Sequence, residues 1–185
     1  MKKVLLLLVG IIVSANAFAQ IRVDKVEDDG SRIIISNDHN IYTGWTNAAS
    51  VSVIYVLTPS GEELYQMHLC FNEGKMQFDI GRKLLLKFAD DSVMEFRNIT
   101  EIGPADYEYR VTDVGTDYYT YPDYLITEEE IQKIVNGNVI KIRVENNLEY
   151  FDRIIKKDKF SLAIRDSYQA IQSRKDVKND VYEGF

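Results

Sequence analysis

The chain has 185 residues, of which 22 are Lys or Arg and 29 are Asp or Glu, so its net charge is −7. An acidic protein repels phosphate backbones, so we expect no nucleic-acid partner. Cys70 is the single cysteine, which excludes an intramolecular disulfide and leaves stability to the packing of the core.

Residues 1–19, MKKVLLLLVGIIVSANAFA, have the pattern of a secretory signal peptide. Two lysines precede an apolar run, and Ala17 and Ala19 are small residues at the positions that a signal peptidase reads. The run is shorter than the roughly 20 residues of a membrane-spanning helix, so we expect cleavage before Gln20 and no stable membrane insertion. We therefore expect a bacterial exported protein, periplasmic or extracellular. Cleavage removes two lysines and no acid, which takes the net charge from −7 to −9.

Short runs of β-branched and aromatic residues alternate with turn signals, which is typical of antiparallel strands joined by hairpins. Asp28-Asp29-Gly30 predicts the first hairpin, because Asp-Gly tolerates the positive φ of tight turns. The run 51–58, VSVIYVLT, is apolar on both faces and predicts a central strand, with the alternating run 63–71 as its partner. For residues 37–50 we expect a loop with a short strand around Ile41. The remaining runs predicted as strands are 21–27, 31–36, 75–80, 83–88, 92–96, 138–145 and 148–155.

Two helices are predicted in the second half of the chain. Thr127 to Glu130 form a capping box, with Ile126 and Ile131 placed as the hydrophobic staple, so a helix begins at Glu128. Asn136-Gly137 is expected to end this helix with a left-handed residue. A helical stripe then predicts a second helix over 158–173. The residues of that stripe are Phe160, Ala163, Ile164, Tyr168 and Ile171.

The predicted fold class is α+β: a mainly antiparallel, twisted sheet of hairpins, with one short and one longer C-terminal helix packed on it. An up-and-down β-barrel with a terminal helix is the alternative. Residues 20–175 are interpreted as a single domain, and residues 176–185 as a loose charged tail.

Six of the twelve tyrosines fall within eighteen residues. We predict a hairpin there with the loop Asp113-Val114-Gly115, because a left-handed glycine completes a type I turn with a bulge. That register pairs Tyr109 with Tyr119 and Tyr107 with Tyr121, so four rings share one face. The face is either a ligand platform or a wall of the core, and the cost of burying four hydroxyls favours an exposed rim. All four tyrosines are therefore predicted ligand-binding residues.

No motif of a catalytic, metal or cofactor site is recognisable, and none is predicted. His68 and Cys70 share a strand face, but a face of mixed residues is the simpler interpretation than cysteine–histidine catalysis. The predicted function is an exported, non-catalytic protein that binds a protein, peptide or glycan through the tyrosine hairpin. A carboxylate-based hydrolase of extracellular polymers is one alternative, and a carrier of small apolar ligands is another.

Overall fold

The computed structural model describes residues 20–44 and 47–176. The predicted signal peptide and most of the predicted tail lie outside the described residues. The described chain is α+β, mostly antiparallel strand, with its second helix at the C-terminal end, so the predicted fold class is confirmed. The elements are β1 (Ile21–Val26), β2 (Arg32–Ser36), β3 (His39–Thr43), β4 (Ala48–Leu57), β5 (Glu63–Asn72), β6 (Lys83–Phe88), β7 (Val93–Arg97), β8 (Glu108–Thr112), β9 (Gly115–Tyr119), β10 (Asp123–Ile126), α1 (Glu128–Asn136), β11 (Val139–Glu145), β12 (Tyr150–Ile154) and α2 (Lys159–Lys175).

The strands form two sheets and a separate hairpin. The first sheet has the order β1-β2-β4-β5-β10, with β3 beside β2 along the same edge of β4. The second has the order β12-β11-β6-β7, and β8 pairs with β9 alone. A bridge between Asn98 and Tyr124 joins the two sheets. Within the described ranges β1 and β12 each pair on one side only, so no closed barrel forms and the barrel alternative is wrong.

The core lies between the two helices, one face of the first sheet and one face of the second sheet, whose buried residues form one cluster. Alternate residues of β4 and β5, such as Val53 and Met67, point to the inner face of the first sheet and are fully buried. Phe160, Ile164 and Ile171 of the predicted helical stripe are also fully buried, and α2 contacts β2, β3 and β4. Neither α1 nor α2 combines the length and the apolar composition that a helix needs to cross a bilayer.

The predicted capping box of α1 is confirmed. The Thr127 hydroxyl accepts from the Glu130 backbone N–H at 3.2 Å, and the Glu130 carboxylate accepts from the Thr127 N–H at 2.8 Å. The prediction that Gly137 ends the helix in a left-handed conformation is wrong, since its φ is −91°. A Cβ at this position would lie 2.6 Å from the Phe88 ring, so glycine is needed for the close approach of β6.

The predicted strand at 75–80 does not form. In this segment only Phe78 makes a strand-like bridge, with Ile102. The backbone N–H of Asp79 donates instead to the Asn147 side chain at 2.9 Å, so a side chain takes the hydrogen bond that a neighbouring strand would otherwise make. Phe78 is nevertheless fully buried, which explains the apolar pattern of the segment.

Asp24 connects the first hairpin to the end of α2. Its side chain is 8% exposed and points inward from the edge strand β1, where an inward charge discourages pairing with another chain. It accepts from Arg32 Nε at 3.0 Å and from Arg174 Nε. Burial raises the pKa of Asp24, but the hydrogen bonds and charges of the two arginines outweigh burial and hold the pKa below its usual value.

We expect Asp24→Asn to lower the free energy of unfolding by roughly 2 to 3 kcal/mol at pH 7, because it leaves two partly buried guanidinium groups without their carboxylate. The folded pKa is depressed, so this stabilisation is present above the unfolded carboxyl pKa of about 3.9 and is lost as the pH falls through the folded pKa. Urea unfolding of both proteins at pH 7 and pH 3 measures the difference. Asp38→Asn is the control, because it breaks an exposed pair with Arg22 and should cost at most about 0.5 kcal/mol. Equal losses of unfolding free energy in the two variants would contradict the interpretation that the ion pairs of Asp24 stabilise the fold.

Candidate functional site

The tyrosine hairpin is formed by β8 and β9, but its register differs by one residue from the predicted one. Thr112 pairs with Gly115, and Tyr109 pairs with Tyr118, so the loop is only Asp113-Val114. Neither loop residue has a positive φ, and Gly115, with φ +153°, is already the first residue of β9. The predicted three-residue loop is therefore wrong: Gly115 has the predicted positive φ, but it lies in the strand and not in the turn.

The shifted register separates the four predicted ligand-binding tyrosines. Tyr107 and Tyr109 lie on one face of the hairpin, whereas Tyr119 lies opposite Glu108 on the other. The Tyr121 hydroxyl donates to Glu108 at 2.8 Å, so this ring lies on the side of Tyr119. The four rings do not form one plate. Ligand binding by any of them stays a prediction, now without the shared face that motivated it.

One of the aromatic surfaces is already in contact with a cation of the chain itself. The rings of Tyr107 and Tyr118 meet edge to face with centroids 5.2 Å apart. The Lys75 ammonium lies 5.3 Å from the Tyr107 centroid and 4.8 Å from that of Tyr118. This cation–π contact leaves less open ring surface for a ligand. Tyr109, 67% exposed, is the more accessible ring on this face.

A polar row crosses β4, β5 and β10 on the face of the first sheet that points away from the core. Ser52 pairs with His68, and His68 pairs with Asp123. His68 Nδ1 lies 2.7 Å from Asp123 Oδ1, and the other carboxylate oxygen accepts from Thr100 Oγ1 at 2.8 Å. The Tyr121 ring stacks on His68, with centroids 5.5 Å apart and planes 9° from parallel. The order serine, histidine, carboxylate is that of a hydrolase triad.

The polar row lacks an accessible nucleophile. Ser52 is 0% exposed, and within the described ranges its Oγ has no hydrogen-bond partner, so His68 does not activate it. The nearby Cys70 thiol has its pKa raised to about 11, chiefly by burial, so it stays protonated at neutral pH. We therefore assign no catalytic step to this row. The sequence signalled His68 and Cys70 as neighbours, but it gave no sign that Ser52 and Asp123 would flank His68.

The carboxylates are held by turns and by cations. Asp29 and Asp90 accept from Ser31 and Ser92, as their turns require, and these hydrogen bonds lower the pKa of both. Hydrogen bonds from Arg143 and Lys141 likewise lower the pKa of Asp152. A glycosidase acid needs a raised pKa, so these groups do not support the hydrolase alternative. No group of three or more His, Cys, Asp and Glu side chains converges on a metal position in residues 20–44 and 47–176.

The rest of this outward face is apolar. One row of cross-strand neighbours runs from Val23 through Ile35 and Ile54 to Gln66 and Leu125. A second row of cross-strand neighbours runs beside it, from Ile33 through Val56 to Leu64. None of these aliphatic residues is among the described side chains that are buried in the core or packed against it. We call this surface the apolar outer face; it consists of Val23, Ile33, Ile35, Ile54, Val56, Leu64 and Leu125.

The apolar outer face departs from the usual pattern of antiparallel sheets. Such a sheet, when it has one face in water, normally places polar side chains on that face. The sequence 51–58 predicted a strand covered on both sides, and in the described chain α2 covers only one of them. Leu125 is 51% exposed, and the other six residues are partly exposed. The outward side of the first sheet is therefore the candidate functional surface.

We expect the pair Val111→Cys and Thr116→Cys, made in a Cys70→Ser background, to close a disulfide under mild oxidation, because these two residues face each other across the hairpin. The control pair is Val111→Cys and Asp117→Cys, which the predicted register would place opposite each other but the observed one puts on different faces. Mass spectrometry after thiol labelling measures both. Faster closure of the control pair would restore the predicted register.

No protein-family model, curated protein sequence or solved structure matches this chain. The roles of its residues therefore rest on the positions and the chemistry of the side chains described above.

Proposed function

We propose that the protein is a non-catalytic binding protein that holds another protein against its apolar outer face. The observation that carries this proposal is the two rows of aliphatic side chains that no described element covers. The water-facing side of an antiparallel sheet normally carries polar side chains, so aliphatic rows on that side favour a covering partner. Charged residues are also absent from the middle of the face, as is usual at the centre of protein interfaces.

The energy available from the apolar outer face is adequate for binding. Fully burying one large aliphatic side chain contributes about 1.5 to 3 kcal/mol, so completing the burial of a half-exposed one contributes roughly 1 kcal/mol. Leu125 is half-exposed and the other six residues are less exposed, so the seven together contribute at most several kcal/mol, from which the lost freedom of the two partners must be subtracted. We therefore expect the protein to bind its partner with moderate affinity and reversibly.

The other functions have weaker support. A carrier of small apolar ligands needs an interior cavity, whereas the described core is filled by large side chains such as Phe71, Phe78 and Phe160, which are fully buried. A hydrolase needs an exposed nucleophile or two convergent acids, one of them with a raised pKa; among the described residues Ser52 is buried, and the pKa values of Asp29, Asp90 and Asp152 are lowered. Export, with residues 1–19 as the signal peptide, stays part of the proposal and places the partner in the periplasm or outside the cell.

Two of the four predicted ligand-binding tyrosines lie on the same side as the apolar outer face. Tyr121 stacks on His68 at the polar row, so it lies on the same outward side of the sheet, and Tyr119 shares its side of the hairpin. A protein seated on the apolar outer face would meet the edge of these rings. Tyr107 and Tyr109 point to the other side of the hairpin and have no part in the proposal.

We expect a photoreactive benzoylphenylalanine at Ile54 to form a discrete covalent adduct with another protein in the producing cells, because this side chain lies in the middle of the apolar outer face. Leu85, on the outward side of the second sheet, is the matched control position. Denaturing gels and mass spectrometry identify the adducts. Ile35→Lys in the same chain should abolish the adduct at position 54. The proposal fails if position 54 gives no adduct, or if position 85 gives the same one.

A further inference from the structure

We propose that the segment bound on the apolar outer face is an amphipathic helix of the partner, with basic residues beside its apolar stripe. This inference rests on the proposed function and specifies its partner by chemistry. The shape of the face, its area and the charges at its border all favour such a helix.

The shape of the apolar outer face fits one helix. The face extends over five strands, and four strand spacings of about 4.8 Å give a length of roughly 19 Å. Its two rows lie two residues apart along each strand, which with the side chains gives a width of about 10 Å. A helix is about 10 to 12 Å wide and rises 1.5 Å per residue, so roughly 13 residues cover the face.

The area is too small for a rigid second copy of this chain. Roughly 19 Å by 10 Å is only a quarter of the about 800 Å² per partner that stable interfaces bury. A helix compensates by wrapping its own side chains around the rows, and helices are a usual cover for a sheet face. On the inner face of the same sheet, α2 already provides such a cover.

The charges at one end of the face determine which helix fits. A groove of about 370 Å³ lies where β5 and β10 meet the start of α1. Leu64 and Leu125 of the apolar outer face line it together with Glu63, Glu128 and Glu130. Lys175 pairs with Glu63, but Glu128 and Glu130 form no ion pair with any described residue. These two glutamates therefore place unpaired acidic charge at the β10 end of the face, and it complements basic residues on the bound helix.

The three glutamates can be neutralised without loss of their structural contacts. Glu63 accepts from Lys175 at 2.6 Å, and Glu128 accepts from the Tyr168 hydroxyl. Glu130 closes the capping box, where glutamine serves equally well. Glutamine retains an acceptor oxygen at each position, so a triple Glu→Gln variant tests the charge alone.

The experiment uses a synthetic 18-residue helix with a leucine stripe flanked by lysines, labelled for fluorescence anisotropy, and the purified protein. We expect a dissociation constant of about 1 to 100 μM. Glu63→Gln, Glu128→Gln and Glu130→Gln combined should weaken binding about tenfold, since three negative charges are removed from the border of the face. Glu95→Gln, Glu101→Gln and Glu149→Gln combined change the net charge equally elsewhere and should leave the affinity within about twofold. Ile54→Lys should weaken binding at least tenfold, with an unchanged circular dichroism spectrum.

Two further peptides and one further measurement decide the inference. A helix with glutamates in place of the lysines, and a scrambled Leu–Lys peptide, should bind at least tenfold more weakly; equal binding of either one overturns the inference. Dimerisation of the protein that Ile54→Lys abolishes would show a second copy on the face and would also overturn it. If position 54 captures a partner in cells but the Leu–Lys helix does not bind, the inference fails and the proposed function stands. If position 54 captures nothing, the proposed function itself fails.

Discussion

Packing of α2 against the inner face of the first sheet is the interaction on which the rest of the structure depends. The fully buried Phe160 and Ile164 of α2 lie against β4 and its neighbours and exclude water from the core. The ion pairs of Asp24 with Arg32 and Arg174 then fix the end of the helix to the first hairpin. One helix covers one face, so the same packing leaves the aliphatic side chains of the opposite face without a cover.

That opposite face is divided between two kinds of chemistry. Its polar part carries a hydrogen-bonded histidine and aspartate beside a buried serine, and its apolar part carries two rows of aliphatic side chains. The polar part has the residue types of a hydrolase, but burial of Ser52 removes the nucleophile from contact with any substrate. The apolar part can bind a partner simply because contact removes its aliphatic side chains from water, and for this reason we assign the proposed function to it.

Local signals in the sequence predicted local structure well. The capping box at Thr127, the Asp-Gly hairpin at Gly30 and the helical stripe of α2 act over a few residues, so they need no knowledge of the fold. The two glycine interpretations failed for different reasons. A glycine indicates either a positive φ or a missing Cβ, and at Gly137 it is the Phe88 ring of a distant strand that requires the missing Cβ. At Gly115 the φ is positive, as predicted, but the loop closes before the glycine is reached.

The sequence by itself determined the class of fold, the strands and helices of most segments and the apolar character of both faces of β4, because periodicity and caps are properties of neighbouring residues. Tertiary structure alone decided which face α2 covers, which residues meet across the strands and which way the tyrosine rings point. Ser52, His68 and Asp123 come from three separate strands, and their alignment depends on registers that no single segment encodes. A shift of one residue in a register moves every side chain to the other face, so the surface that we propose to be functional became visible only once the strands were paired.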